Sequence, residues 1–299
     1  MNRLVLVDTN NLLYISTFSK TNADKYNNYE DITIDDVDKI YRDVLSTVIF
    51  KYFNIIEYNE GHTEVLYAKD AYKVWRRSRI FNEYKAQRVK NRNNGNIDFK
   101  ILYKVFDKVW DTISGLLPAR FIHTENAEAD DVITRTIKKE YDKYDKFQII
   151  STDGDFVQLL KNDKVELYNP SRFEFVVVDN PNYELFVKII KGDRSDWIPS
   201  IYSQSRGERQ KPVRTKDLIE WFNNPGDFSK YMKEQSKDVK KYFIRNKKLV
   251  DLELIPDDIN DEIDVELKNK PVEFNLSNFL KIAEREDIEF MAERLELIG

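Results

Sequence analysis

Short apolar runs that end in a carboxylate recur along this chain. Leu4–Val7 runs into Asp8, Val65–Ala68 reaches Asp70 one residue further on, and Phe147–Ile150 precedes Ser151-Thr152-Asp153-Gly154-Asp155. Runs this short and nearly unbroken predict strands buried on both faces. Arg120–His123 is a weaker fourth. Between them, Ile34–Phe53, entered through Thr33, and Phe99–Leu117, closed by Pro118, carry helical patterning. Strands alternating with helices of this length predict an α/β fold, a mostly parallel central sheet with helices on both faces. Val165–Tyr168 and Phe173–Val178 read as an added strand pair around Asn169-Pro170-Ser171-Arg172, and Asn91–Asn96 as a loop. Beyond Asp179-Asn180-Pro181-Asn182 the strands cease. Tyr183–Lys191, Thr215–Asn223 and Asp227–Lys247 are helical in pattern. The chain therefore divides near Asn180 into an α/β part, 1–180, and a helical C-terminal part, 181–299.

An acid at the end of a parallel strand lies at the carboxyl edge of the sheet, where α/β folds bind ligands. Glu128-Ala129-Asp130-Asp131 adds three acids at a helix start, and Gly192-Asp193-Arg194-Ser195-Asp196 adds two more. Each motif has an ordinary reading. Asp8 suits a helix cap, Glu128 to Asp131 a first helical turn, and Asp153-Gly154-Asp155 a turn. As a set, Asp8, Asp70, Glu128, Asp130, Asp131, Asp153, Asp155, Asp193 and Asp196 would repel one another unless divalent cations held them. Asn10 stands where a haloacid-type phosphatase needs a second Asp, and the spacing of an EF-hand is missing.

Composition narrows the chemistry. The 299 residues include no cysteine and only His62 and His123. That excludes disulfides and thiolate sites, leaves a metal to oxygen ligands of the Mg²⁺ or Mn²⁺ type, and fits a reducing cytoplasm. No stretch reaches the roughly 20 apolar residues of a membrane span. The net charge of −5 opposes nucleic-acid binding, but the charge is polarised. Between Lys73 and Arg92 eight cations face one acid, Glu83, whereas 251–266 holds eight acids and no base. Tyr72, Trp75, Phe81 and Tyr84 interleave with the cations, as base stacking and phosphate neutralisation require. Arg76, Arg77, Arg79, Tyr84, Lys85 and Arg88 are thus candidate contacts to a polynucleotide strand above the acids.

The order Asp8, Asp70, Glu128-Ala129-Asp130-Asp131, Ser151-Thr152-Asp153-Gly154-Asp155-Phe156 and Gly192-Asp193-x-x-Asp196 resembles the 5′-nuclease, or flap endonuclease, superfamily. Within it, Trp75-Arg76-Arg77 and Tyr84-Lys85-x-x-Arg88 are similar to the ribonuclease H group of T-even-like phages. The resemblance implies two Mg²⁺, replaceable by Mn²⁺. Asp8, Asp70, Asp130 and Asp153 would surround the first, supported by Glu128 and Asp131, and Asp155, Asp193 and Asp196 would serve the second. It also implies a helical arch at about 73–92, with Lys85 and Arg88 as cations at the scissile phosphate and Asp130 and Asp153 as catalytic carboxylates. The implied function is a 5′→3′ exonuclease and flap endonuclease acting on 5′ DNA flaps and on RNA–DNA hybrids during replication. A monomeric phage protein in the host cytoplasm would do this, with a single-stranded-DNA-binding protein and a sliding clamp as possible partners. Trp197 replaces the family's Asn, and no Gly-x-Gly turn follows. The duplex-binding hairpin is therefore modified or lost, and a monovalent-ion site is not implied. A PIN-type ribonuclease, or an inactive DNA-binding relative, is the competing reading.

Overall fold

In the computed structural model, residues 1–18, 37–59, 61–88 and 98–297 are described. The apolar runs form neighbouring strands. β1 (Asn2–Asp8) lies between β2 (His62–Lys69) and β4 (Lys146–Ile150), both parallel to it. β3 (Arg120–His123) extends the sheet beyond β2, and β5 (Val165–Asn169) beyond β4. The two-residue β6 (Glu174–Phe175) pairs antiparallel with β5, giving the order β3-β2-β1-β4-β5-β6. From β1 the chain winds outward to β2 and β3, then returns to β4 on the other side. This reversal opens a crevice between β1 and β4 at the carboxyl edge.

Alternate residues of β1 face opposite layers. Val5 and Val7 join the cluster beneath α1 (Thr9–Thr17), α2 (Val37–Tyr58) and α3 (Phe99–Ser114). Leu4 and Leu6 join the cluster beneath α4 (Ala129–Lys139) and a 3-10 helix, Gly154–Lys161. Helices thus cover both faces, as the unbroken apolar runs require. The helix expected from Ile34 is α2, and residues 34–36 lie outside the described residues, as does the loop 91–96.

Asn180 caps α5 (Pro181–Lys191). The patterned stretch Asp227–Lys247 is two helices, α7 (Pro225–Glu234) and α8 (Lys237–Val250), after α6 (Thr215–Asn223). Ser236 breaks the run, its side chain accepting from Val239 N, because a serine hydroxyl satisfies a helix N-terminus better than a helix interior. α9 (Asp257–Glu266) and α10 (Leu276–Glu286) return to the sheet layers. Ile259 and Ile263 enter the core of α4, and Phe279 and Ala283 enter that of α2 and α3. The segment after 180 therefore divides its apolar residues between the sheet-side cores and a helical cluster around Ile190, Ile201 and Leu218. Among the described residues, no helix is long and apolar enough to cross a membrane.

Candidate active site

Three strand ends and one helix start deliver the acids to the crevice. Asp8 closes β1 and caps α1, its Oδ1 accepting from Asn11 N at 3.1 Å. Its Oδ2 accepts from Ser151 Oγ at 2.9 Å, and the same hydroxyl accepts from Asp153 N at 3.0 Å. One serine thereby ties the end of β1 to the loop after β4. Across the strand, Asp70 accepts from Ala129 N, the first amide of α4, at 2.8 Å. That amide has no intrahelical partner, so the strand-end acid and the helix N-terminus satisfy each other. Glu128, Asp130 and Asp131 then present carboxylate oxygens within 4.8 Å of one another.

The second group of acids hangs on a closed loop. Asp193 N donates to Ile198 O at 3.0 Å and Ile198 N to Asp193 O at 2.7 Å. Gly192 starts the loop at φ +74°, and a Cβ there would lie 2.3 Å from the Ile198 carbonyl oxygen. No other residue fits that backbone without displacing it. Lys85 N donates to Asp196 O at 2.8 Å, and Lys85 itself sits at φ 56°, a strained left-handed conformation held by its surroundings.

Cations already offset part of this charge. Arg76 is fully buried, with Nη2 2.7 Å from Asp131 Oδ1 and Nη1 2.9 Å from Glu128 Oε2. Trp75 Nε1 donates to Asp131 Oδ2 at 2.8 Å, and Glu128 N to the same oxygen at 3.1 Å. Lys85 pairs with Glu128, Arg88 lies 2.7 Å from Asp196 Oδ1, and Tyr84 donates to Asp196 Oδ2 at 3.1 Å. Lys188 bridges Asp155 and Asp193.

The titration behaviour shows where negative charge remains in excess. Burial, reinforced by Asp70 and Asp153, pushes Asp8 up to about 7. Burial also holds Asp70, Asp130, Asp155 and Asp196 above the usual carboxylate range. Glu128 moves the other way, to about 2, because Lys85 and Arg76 outweigh its burial. Burial alone would raise Asp193, yet Ser195 and Lys188 bring it below its ordinary value. Asp130 Oδ1 is buried without a hydrogen-bond partner, 3.6 Å from Arg76. An orphaned carboxylate oxygen among acids that resist ionisation fits a hard divalent cation.

This arrangement agrees with a sequence-family match. The family described as "5'-3' exonuclease, N-terminal resolvase-like domain" matches residues 3–185. The chain belongs to that 5′-3′ exonuclease family. Members of this family are metal-dependent nucleases acting on phosphodiester bonds, and this chain is such an enzyme. It is 29% identical to the ribonuclease H of Enterobacteria phage T4 over 236 residues, 73% of this chain and 76% of that protein. It is 26% identical to a 5′-3′ exonuclease of Buchnera aphidicola subsp. Schizaphis graminum over 156 residues, 50% of this chain and 51% of that one. In fold it is similar to a bacteriophage T5 flap endonuclease in a pseudo-enzyme–product complex with DNA and metal ions. That likeness has a TM-score of 0.61 at 21% identity, over 95% of this chain and all of the other. A T5 protein co-crystallized with metal ions gives a TM-score of 0.61 at 19% identity, over 90% and 99% of the two chains.

Of the arch expected at about 73–92, residues 73–88 are described. Its described part is a π-helical turn, Arg76–Ile80, followed by a turn to Lys85, while Lys90 and Arg92 lie outside the described residues. Arg76 and Tyr84, expected to touch the strand, are buried in the acidic network instead. Only long-range proximity to Glu128 and Asp131 makes Arg76 a counter-ion, and spacing along the chain carries no sign of it. Asp131, expected to support the metal, is fully buried with both oxygens committed to Arg76 and Trp75. Of the four interleaved aromatics, Tyr72 is 75% exposed, whereas Trp75 and Tyr84 are buried and Phe81 lies beneath Arg245. Arg77 donates to Tyr84 O, and Arg79 pairs with Asp258 of the acidic segment. Lys85 and Arg88 line a cleft of about 240 Å³ with Asp70, Tyr72 and Glu128. The sequence pattern assigned no role in the site to Ser151, Asn10 or Lys188. Ser151 stands inside a quoted motif, Asn10 Oδ1 accepts from Asp70 N at 3.4 Å, and Lys188 gave no local signal.

Proposed function

We propose that this nuclease is a Mg²⁺-dependent 5′→3′ exonuclease and flap endonuclease, acting on 5′ DNA flaps and on the RNA of RNA–DNA hybrids during replication. The charges of Asp70 and Asp153 beside Asp8, with Asp70 bonded to the first amide of α4 and sharing a cleft with Lys85 and Arg88, carry this reading. The names of the T4 ribonuclease H and the T5 flap endonuclease support it for substrate. When bound, divalent cations lower the pKa of water and neutralise charge on the phosphate. Asp8, Asp70, Asp130 and Asp153 would hold the first, and Asp155, Asp193 and Asp196 would hold the second. Water adds to phosphorus and the bond to the 3′ oxygen breaks, leaving a 5′-phosphate and a 3′-hydroxyl. Lys85 and Arg88 leave Glu128 and Asp196 to meet the scissile phosphate, and Tyr72 offers an exposed ring to a base. A single-stranded-DNA-binding protein and a sliding clamp would present the substrate.

The test compares a 5′-flap DNA, an RNA–DNA hybrid and unstructured RNA, with and without Mg²⁺. Asp130→Asn or Asp153→Asn should lower cleavage by about 100-fold or more while circular dichroism stays unchanged. Full activity in either variant, or cleavage of unstructured RNA alone, overturns the assignment.

A further inference from the structure

Lys188 lies on α5, facing the loop that starts at Gly192, and its ammonium rests against two acids. Nζ pairs with Asp155 Oδ1 and lies 3.1 Å from Asp193 Oδ2. Asp155 follows β4 and Asp193 follows α5, so the lysine joins two segments that sequence distance separates. Neither acid has another cation within ion-pairing distance among the described residues. Asp196, the third acid of this group, is held separately by Arg88 and Lys85.

We propose that Lys188 is the built-in counter-ion of the second metal position, a positioning residue that must yield Asp155 and Asp193 before a cation takes them. The inference rests on the two-ion reading given above. A divalent ion and an ammonium both need Asp155 Oδ1, and two positive charges repel each other at that distance. Lys188 therefore competes with the second ion and leaves the first untouched, because Asp8, Asp70 and Asp130 form no ion pair with it. The side chain is 30% exposed, so once displaced it reaches solvent or an arriving phosphate. The order of events follows. The first ion loads freely, whereas the second loads against Lys188 until substrate supplies the lysine with another anion.

Mn²⁺ titration of the full chain by calorimetry, for wild type and Lys188→Met, tests this without turnover. Methionine keeps the length of the side chain and removes the charge. The first binding step should be unchanged and the second about tenfold tighter or more in Lys188→Met. The metal-free variant should also melt at a lower temperature than wild type at pH 7.5, a difference that saturating Mn²⁺ abolishes. A second ion bound equally or more weakly by the variant overturns the proposal alone. Absence of a second ion from both proteins overturns it together with the two-ion reading.

Discussion

At the scale of single residues, the crevice is defined by acids whose folded-state proton affinity exceeds that of the free side chain. Asp8 binds its proton up to about pH 7 in the folded chain, against an ordinary value of 3.8. Between those values the folded state holds more protons than the unfolded one, so metal-free stability falls as pH rises through this window. Asp70, Asp130, Asp155 and Asp196 shift in the same direction. Glu128 and Asp193 shift the other way, downward from ordinary carboxylate values, so they do not oppose this slope near neutral pH. His123, lowered by burial and by Lys69, opposes the trend as one half-buried group against five acids. Metal-free protein should lose about 1–2 kcal/mol between pH 5.5 and 7.5, and saturating Mg²⁺ should flatten or reverse that slope. Urea melts at the two pH values, with and without Mg²⁺, measure it. A metal-free slope of the opposite sign would contradict the charge excess.

At the scale of elements, backbone geometry decides where the second group of acids stands. Gly192→Ala puts a Cβ against Ile198 and Pro199 in a conformation that costs about 1–3 kcal/mol for φ alone. The loop from 193 to 198 must shift, and Asp193 and Asp196 shift with it. Gly154→Ala is the control, because its added Cβ meets nothing within 4 Å. Thermal melting and Mn²⁺ binding should both suffer in Gly192→Ala and remain near wild type in Gly154→Ala. Equal behaviour of the two variants would show that the loop tolerates displacement. The element scale also shows what local pattern can reveal. β1 carries the apolar run Leu4–Val7 without a break, every residue buried, because burial on both faces writes itself into contiguous positions. The break at Ser236 depended on one capping hydroxyl inside a stretch of even helical pattern. α1 follows Asp8 directly, so a strand end and a helix cap share one residue, and the reading of Asp8 as a cap is fulfilled.

At the scale of the whole molecule, the C-terminal segment completes the layer over α2 and α3. Phe279 is buried with its ring 6.2 Å from that of Phe53, so the apolar face of α10 is consumed by the core. Phe279→Ala should cost about 3–5 kcal/mol, read as a drop in the chemical denaturation midpoint with the Mg²⁺-binding stoichiometry retained. A change below 1 kcal/mol would mean that α10 is detachable. The charge polarity also resolves in three dimensions. Arg79 of the basic segment meets Asp258, and Arg135 and Lys139 meet Asp264, so part of the acidic stretch neutralises nearby cations.

Strand positions, the acids at their ends, the absence of thiols and the scarcity of imidazoles were determined by the amino-acid order, since burial on two faces and ligand chemistry are properties of contiguous residues. Which cation neutralises which acid was decided only by folding. Arg76 lies 55 positions from Asp131, and Lys188 lies 33 from Asp155. Electrostatic energy depends on distance through space and on desolvation, and neither is written into the spacing along the chain.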